Sequence, residues 1–413
     1  MFVPSEGLGK YCLALDVGTE LVKVLLFENE NGTAKVLGVG RFKQRLQDMQ
    51  SGMITDIKGV VDNCAEAIAQ AEDQAGVQAD QVIIGIAGEL VKGMATYVSY
   101  ERQVPTKQIE MKELEDIVSQ IQWKAVEKVR QQLAQETGYK EIEVRLVNAA
   151  VVDVQIDSHR INNPLGFQGR KVNIGIFNSF APLVHLGALQ TIAEELNLDL
   201  LSIATEPYAV ALSVGSEEAG EFSAIFIDIG GGTTDIALVK NGGVAGTKMF
   251  GLGGRAFTKR LSSNFGISFA QAEKMKLDYS AASLDPSSVA KVKEVLKADA
   301  LVWMSGVEMI MEELAESEYL PSKILLCGGG SVLPEIHQVL EEFDWQENLP
   351  FSTSPQVRFI QPEEVRNVLD TTGQLVSAQD ITPMALANLA LGLMGEESLV
   401  DSVLRRVAKV MQQ

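Results

Sequence analysis

The sequence has little cysteine and little histidine, so it has few of the side chains that build disulfide frameworks or zinc sites. Three residues of each type occur among 413, and no two of them have a paired metal-ligand spacing. They are Cys12, Cys64 and Cys327, and His159, His185 and His337. Scattered cysteines are typical of proteins of a reducing compartment, so we expect the cytoplasm. We interpret each histidine as a structural residue.

Long hydrophobic runs are absent as well. The most apolar N-terminal stretch, residues 11–27, is interrupted by Asp16, Glu20 and Lys23, whereas a spanning helix needs roughly 20 mostly apolar residues. The stretch also lacks the succession of charged, apolar and small residues that marks a signal peptide. The sequence therefore predicts neither a spanning helix nor a secretory leader.

Positive charge is scarce. Lys and Arg number 35 against 55 Asp and Glu, and the resulting net charge of −20 repels phosphate backbones. We therefore expect no nucleic acid among the partners. Hydrophobic residues make up 46% and charged residues 22%, which excludes a disordered chain. A length of 413 residues predicts two or more domains.

What the sequence does contain is a repeated motif of strand, Asp-x-Gly turn and strand. The first copy is LALDVGTELVKVLLFE around Asp16, and the second is AIFIDIGGGTTDIALV around Asp228. Glycine lets backbone N–H groups approach a phosphate, threonine adds a hydroxyl donor, and an aspartate at a strand end suits a hydrated Mg²⁺ ion. One such turn also occurs in hairpins without a ligand. Two copies predict that two domains grip one polyphosphate from opposite sides.

A third glycine turn, in ILLCGGGSVLPEI, follows a further strand and is expected to lie against a nucleoside. The three turns supply most of the predicted site. Their candidate residues are Asp16, Gly18, Thr19, Asp228, Gly230, Gly231, Gly232, Thr233, Thr234, Gly328, Gly329, Gly330 and Ser331.

These three motifs resemble those of the superfamily of actin, the sugar kinases and the DnaK-type chaperones. The resemblance implies an α/β, actin-like two-domain ATPase fold with duplicated mixed-sheet domains. It also implies ATP and Mg²⁺ as cofactors, with Asp16 and Asp228 acting on the metal through water. Lys23 is a candidate phosphate ligand, although a lysine that projects from a hairpin into solvent is the alternative.

The same resemblance assigns residues outside the three turns. Glu206, in the segment TEPYAVA, is similar to the residue that orients the attacking water, while an N-terminal helix position followed by proline also explains a glutamate there. Gly253 and Gly254, with Glu273 and Lys276, resemble the stretches that hold the ribose and adenine. A surface ion pair is the alternative for Glu273 and Lys276, which are three residues apart.

A block between the two hairpins narrows the resemblance to one branch. The segment NPLGFQGR, residues 163–170, is similar to the motif that closes the small subdomain of the bacterial cell-division protein family FtsA. The segments SGMITD and IAG fit the same family, and the resemblance extends over residues 10–395. Residues 89–171 are thus expected to form an FtsA-type small α/β insert.

The expected organisation divides the chain into six ranges, one of which is the insert at residues 89–171. The first actin-like domain comprises residues 1–88 and 172–211, with a closing helix at 381–394. The second comprises 212–380, with a small helical subdomain at 253–318. Residues 395–413 form a candidate amphipathic helix.

The resemblance also implies a function. FtsA proteins bind ATP with slow or negligible hydrolysis, polymerise like actin and tether FtsZ filaments, through the FtsZ C-terminal peptide, to the cytoplasmic face of the membrane at the division septum. Two alternatives stay open. One is a PilM-like ATP-binding scaffold of type IV pilus assembly, and the other is a small-metabolite kinase, which the absence of an evident base beside a substrate pocket disfavours.

The C-terminal residues form an apolar stripe with basic residues beside it. The stripe recurs at spacings of three and four, which predicts one helix face. Its members are Leu399, Val400, Val403, Leu404, Val407 and Met411, and the basic residues are Arg405, Arg406 and Lys409. On an acidic protein this pattern indicates an interfacial anchor for anionic lipids. A terminal helix packed on its own domain explains the same stripe.

Overall fold

A computed structural model of the chain describes residues 9–138, 142–161, 163–215, 222–315, 318–342, 344–393 and 403–404. The described strands are β1 (Tyr11–Val17), β2 (Leu21–Glu30), β3 (Thr33–Lys43), β4 (Met49–Gln50), β5 (Met53–Ile54), β6 (Gln81–Ile86), β7 (Lys92–Glu101), β8 (Val144–Ile156), β9 (His159–Arg160), β10 (Lys171–Pro182), β11 (Asp199–Thr205), β12 (Ala224–Ile229), β13 (Thr234–Lys240), β14 (Gly243–Phe250), β15 (Lys323–Cys327), β16 (Gln356–Phe359) and β17 (Val368–Asp370). The α-helices are α1 (Ile57–Ala75), α2 (Met111–Thr137), α3 (Leu183–Glu195), α4 (Glu206–Ser213), α5 (Gly254–Phe265), α6 (Phe269–Ser280), α7 (Pro286–Ala315), α8 (Pro334–Glu342) and α9 (Ile381–Gly392).

Two large mixed sheets organise the molecule. The first has six strands in the order β11-β6-β1-β2-β3-β17, and the second has nine in the order β16-β15-β12-β13-β14-β7-β10-β8-β9. In each sheet an antiparallel hairpin lies beside a parallel strand: β1 pairs with β2 and β6, and β12 pairs with β13 and β15. The α/β class and the duplicated hairpin unit predicted from the sequence are confirmed.

Helix α1 shows how tightly helices cover the first sheet. Asp56 caps its N-terminus by accepting a hydrogen bond from the Gly59 amide, and Gly76 ends it with a φ of 68°. On β3, a Cβ added to Gly38 or Gly40 would lie 1.9 Å and 1.7 Å from backbone oxygens of α1. The two glycines therefore let the helix approach the strand closely, which holds the sheet under the first hairpin in place.

The insert expected at residues 89–171 comprises β7, α2, β8 and β9. Helix α2 buries one apolar face, which includes Leu114, Ile117 and Ile121. Strand β10 pairs with β7 on one side and with β8 on the other over nearly its whole length. The boundary expected at residue 171 therefore falls at the beginning of a strand that lies in the same sheet as the insert.

That sheet continues into the second half of the chain. Strand β14 pairs with β7 through Gly246 opposite Met94 and Thr247 opposite Gly93. The sequence pattern shows a buried strand at 172–177 but cannot show its neighbours, because strands buried on both faces have the same apolar pattern in any sheet.

The C-terminal stripe is described at two residues. Val403 is 0% exposed and Leu404 is 3% exposed, and both lie in the apolar cluster of the insert. The other seven residues of the predicted anchor lie outside the described residues: Leu399, Val400, Arg405, Arg406, Val407, Lys409 and Met411. Within the described ranges, no helix is both long and apolar enough to cross a membrane.

Candidate nucleotide-binding site

The two hairpins face each other across a cleft that gathers most of the predicted site. The predicted residues that line it are Asp16, Gly18, Thr19, Lys23, Glu206, Asp228, Gly230, Gly231, Gly232, Thr233, Gly254, Glu273, Lys276, Gly328, Gly329 and Gly330. They come from positions up to 314 residues apart in the sequence, and the three glycine turns meet in this cleft.

The glycines of the second turn are required by the approach of the first. A Cβ added to Gly231 would lie 2.7 Å from Cβ of Glu20, and one added to Gly232 would lie 2.6 Å from Oγ1 of Thr19. Real Cβ atoms do not come this close to their neighbours. Glycine at both positions therefore leaves the backbone amides of the turn accessible while the hairpins stay in contact.

Lys23 points into the cleft. Its Nζ donates to Oδ2 of Asp16 at 2.6 Å and to the carbonyl oxygen of Gln379 at 3.0 Å. Burial lowers the pKa of this ammonium, but the charges of Asp16, Asp228 and Glu206 oppose it and the net direction is upward. Lys23 is therefore a fixed cation at the floor of the cleft, and the structure does not support the solvent-projecting alternative.

Four buried carboxylates interact with one another around Lys23, while Glu273 and Lys276 form a separate ion pair in the same cleft. The four carboxylates are Asp16, Glu206, Asp228 and Asp235. Burial raises the pKa of Asp228, and it raises the pKa of Asp235 well above its usual range with the charge of Asp228 adding to the effect. Burial likewise raises the pKa of Glu206 well above its usual range, reinforced by Asp16, Asp235 and Asp228. The site is thus short of positive charge.

Asp228 and Glu206 are held by neighbouring elements. Asp228 Oδ2 accepts a hydrogen bond from the Thr382 hydroxyl at 2.5 Å, at the beginning of α9. Glu206 is the first residue of α4, followed by Pro207, and it reaches the cleft beside Gly85 of β6, where an added Cβ would lie 2.9 Å from Glu206 Oε1. The helix-terminal position and the cleft position predicted as alternatives for Glu206 thus coincide.

Asp235 is a site residue that the sequence interpretation missed. It lies on β13 directly opposite Asp228, and Thr233 donates to its Oδ2 at 3.1 Å. Its Oδ1 is buried without a hydrogen-bond partner among the described residues. An aspartate inside an otherwise apolar strand, TDIALV, was the available signal, because an ionisable residue buried in a strand requires a partner.

Glu273 and Lys276 converge on α6 as predicted. Lys276 Nζ lies 2.9 Å from Glu273 Oε2 and donates to the Gly254 carbonyl at 2.9 Å and to the Thr258 hydroxyl at 2.8 Å. Thr258 also donates to Glu273. Both side chains of the pair are at most 12% exposed, which argues against the surface ion pair.

Three predicted residues do not line the cleft. The Thr234 hydroxyl donates to the Leu252 carbonyl at 2.7 Å and accepts from the Trp303 indole at 2.9 Å. The Ser331 hydroxyl donates to the Gly328 carbonyl at 2.6 Å, which closes the third turn. A Cβ added to Gly253 would lie 2.6 Å from the Gly230 carbonyl, so this glycine lets α5 begin against the second turn. All three support the turns from behind.

The donor set suits a cation held through water. Among the described residues, no group of three or more acidic, histidine or cysteine side chains lies close enough together to bind a metal directly. The four carboxylates around Lys23, with Asp235 Oδ1 buried and without a hydrogen-bond partner among the described residues, nevertheless leave negative charge that a cation would balance. Mg²⁺ usually keeps several waters and takes one or two carboxylates plus phosphate oxygens, so the residues fit a hydrated Mg²⁺ bound with a nucleotide.

Comparison of sequences finds similarity to proteins named Cell division protein FtsA. Residues 225–377 match the family model described as Cell division protein FtsA. The proteins of that name from Streptococcus pneumoniae serotype 2 and Neisseria meningitidis serogroup B are 28% and 26% identical to this chain. The matches cover 79% and 81% of this chain, and 72% and 81% of those proteins. The FtsA of Bacillus subtilis is 23% identical over 80% of this chain and 76% of its own length.

Comparison of structures gives the fold. The chain superposes on a protein of the solved PilM-PilN type IV pilus biogenesis complex with a TM-score of 0.63 and 17% identity, covering 94% of this chain and 99% of that one. At this identity the likeness concerns the fold alone. The chain thus has an actin-like ATPase fold, and the resemblance to the FtsA proteins that its hairpin and insert motifs indicate is confirmed.

Proposed function

We propose that the chain binds Mg-ATP in the cleft between the two hairpins. The observation that carries this proposal is the convergence of two glycine turns on the four buried carboxylates that surround Lys23. The Mg²⁺ ion bound with the nucleotide would supply positive charge to the carboxylates and would offset the negative charge of the polyphosphate. Backbone amides of the glycine turns would meet the phosphate oxygens.

Within that site each residue has a proposed task. Asp16 and Asp228 would hold the waters of a hydrated Mg²⁺, which when bound neutralises phosphate charge. Lys23 would lie near the phosphates, while Glu273 and Lys276 would hold the ribose and adenine side. Glu206 would position water, and burial together with the neighbouring carboxylates raises its pKa, which a cation entering the cleft would oppose. Slow or negligible hydrolysis is what the resemblance to the FtsA proteins leads us to expect.

We further propose that the chain is an actin-like cell-division protein. It would assemble into protofilaments through the insert and bind the C-terminal peptide of FtsZ. It would attach to the cytoplasmic face of the membrane at the division septum through its C-terminal stripe. The similarity to several proteins named cell division protein FtsA, over about four fifths of the chain, supports this role.

A pilus-assembly scaffold is the second candidate function. The likeness in fold to a protein of the PilM-PilN complex, over 94% of this chain, is the reason to test it and does not by itself distinguish the two roles. Both candidates use the same nucleotide site and differ in partner, so only a partner assay separates them.

The test is co-sedimentation of the full chain with FtsZ filaments, with and without Mg-ATP, beside direct binding of the isolated FtsZ C-terminal peptide. Binding of both supports the division role. A folded chain that binds ATP but neither FtsZ nor the peptide would contradict it and favour the scaffold. Filaments on an anionic lipid monolayer, viewed by electron microscopy, test self-assembly, and monomers at high surface density would contradict it.

A further inference from the structure

We propose that the insert holds the chain's own C-terminal segment in an apolar groove, and that this docking competes with membrane attachment for the same side chains. The docking stands on the structure by itself. The competition rests on the membrane role proposed above.

The groove is built from helix α2, strand β8 and strand β10. We call the neighbouring strands β7, β10, β8 and β9 the insert sheet. Val403 and Leu404 share a continuous buried apolar cluster with residues of α2, β8 and β10 and with one residue that precedes α2. Those residues are Ile109, Leu114, Ile117, Val118, Ile121, Val154, Ile156, Val172, Ile174 and Ile176. The two C-terminal residues thus complete a core that the insert's own elements form.

The dimensions of the insert explain why it has room for another element. Strands β7, β8 and β9 of the insert, with β10 between β7 and β8, lie about 4.8 Å apart. This part of the sheet is therefore roughly 15 Å wide, whereas one helix is about 10 Å in diameter. Helix α2 is the only α-helix described within residues 89–171. A single helix leaves part of the sheet's apolar face uncovered, and Val403 and Leu404 lie in that same cluster.

The docked residues belong to the stripe that the sequence predicts as a membrane anchor. Val403 and Leu404 stand in the middle of the series from Leu399 to Met411. One apolar helix face cannot be buried in the groove and in a lipid surface at the same time. Membrane attachment of the stripe therefore requires that Val403 and Leu404 leave the insert, and their departure uncovers the groove.

The charge of the chain is consistent with this competition between the groove and the membrane. The protein has a net charge of −20, whereas Arg405 and Arg406 follow the docked pair directly in sequence and Lys409 follows three residues later. Anionic lipid attracts such a basic segment and repels the acidic body. An anionic surface therefore favours release of the segment, while an uncharged surface offers only the apolar gain that the groove already provides.

The docking is tested by hydrogen exchange on the full chain without lipid. The variant is Val403→Asn with Leu404→Asn, and the matched control is Val376→Asn at an apolar side chain that is 75% exposed. We expect amides of α2 near Ile117 and of β10 near Ile174 to exchange at least about tenfold faster in the variant. In the parent, local opening must first displace the docked pair, and in the variant that step is absent. Amides of β1 should be unchanged.

Two additions complete the test of docking. A synthetic peptide of residues 395–413, added to the double variant, should restore the protection of α2 and β10. Unchanged exchange in the double variant overturns the docking. Protection in the parent that rises with chain concentration overturns the intramolecular assignment, because it assigns the groove to a segment from a second copy.

The competition is tested by adding vesicles of phosphatidylglycerol to the parent chain. Faster exchange in α2 and β10 on vesicle binding supports it. Vesicle binding with unchanged protection overturns the competition. Failure to bind vesicles, with protection intact, overturns both the competition and the proposed membrane role while the docking itself stands.

Discussion

Arg255 of α5 reaches across the cleft to Glu20 of the first hairpin, with Nε 2.6 Å from Oε2. Arg255 also donates to the Met49 carbonyl at 3.2 Å, and Lys43 lies 3.1 Å from the other oxygen of Glu20. The side chains of Arg255 and Glu20 are 10% and 19% exposed, so solvent screens the pair only partly. This ion pair ties the second half of the chain to the hairpin that opposes it.

The Arg255–Glu20 pair is expected to stabilise the closed cleft cooperatively. We predict that Arg255→Met and Glu20→Gln each lower the free energy of unfolding, and that the double variant loses less than the sum. The coupling energy should be about 0.5–3 kcal/mol, the range for residues in contact. Urea denaturation of the four proteins measures it, and strictly additive losses would contradict the assignment.

Replacement of Gly231 by valine should abolish nucleotide binding. The added Cβ meets Cβ of Glu20 at 2.7 Å, so the hairpins must separate and the turn's amides lose their position. Gly187→Val on α3 is the matched control, because an added Cβ there meets nothing within 4 Å. Isothermal titration with Mg-ATP gives the affinities. Parent-like affinity in a folded Gly231→Val protein would show that the nucleotide lies elsewhere.

The carboxylate cluster predicts how stability depends on pH in the absence of nucleotide. The pKa values of Glu206, Asp228 and Asp235 are raised in the folded chain, so the folded state binds protons more readily than the unfolded state. Their contribution is complete below the ordinary carboxyl pKa of about 4 and is lost as pH rises through the raised values. Stability should therefore fall over that window.

Variants of these carboxylates isolate their contribution to the dependence of stability on pH. Glu206→Gln combined with Asp235→Asn should flatten the decline in melting temperature above pH 5, and saturating Mg-ATP should flatten it in the parent. Asp285 is the control, because hydrogen bonds from Ser287 and Ser288 lower its pKa and its contribution has the opposite sign. Asp285→Asn should leave the decline intact. An equal decline in the double variant would mean that other groups cause it.

Charge reversal in the C-terminal segment tests the membrane role without altering the apolar stripe. Arg405→Glu with Arg406→Glu should weaken binding to anionic vesicles by roughly tenfold or more, since each basic residue near such a surface contributes about 1 kcal/mol. Lys58→Glu with Lys297→Glu, two exposed positions elsewhere, changes the net charge equally and is the control. Flotation measures both, and equal losses would point to net charge rather than to the segment.

The hairpins could be predicted because residues that are neighbours in the sequence determine them. Around Asp16 and Asp228, the alternation of strand and turn residues fixes both the turn and the position of the aspartate at the strand end. The Arg255–Glu20 pair could not be predicted, because its members are 235 residues apart and only the facing of the two hairpins joins them. Asp235 was missed because its importance depends on the strand opposite, and sequence shows no register between strands.

The C-terminal stripe illustrates a different limit. The spacing of Val403 and Leu404 predicts an apolar helix face, and such a face fits a lipid surface and a protein groove equally well. What decides between them is the uncovered part of the insert sheet, which depends on the pairing of β10 with β7 and β8. That pairing is a property of the assembled fold.

The pairing of β14 with β7 joins the insert and the second hairpin in one sheet. The nine-stranded sheet carries both the second hairpin and the insert, whereas the first hairpin belongs to the other sheet. Asn148 of β8 also accepts hydrogen bonds from the backbone N–H and the hydroxyl of Thr205, at the end of β11 in that other sheet. The insert is therefore attached to both sheets, and a change in the angle between them would alter its contacts with one or the other.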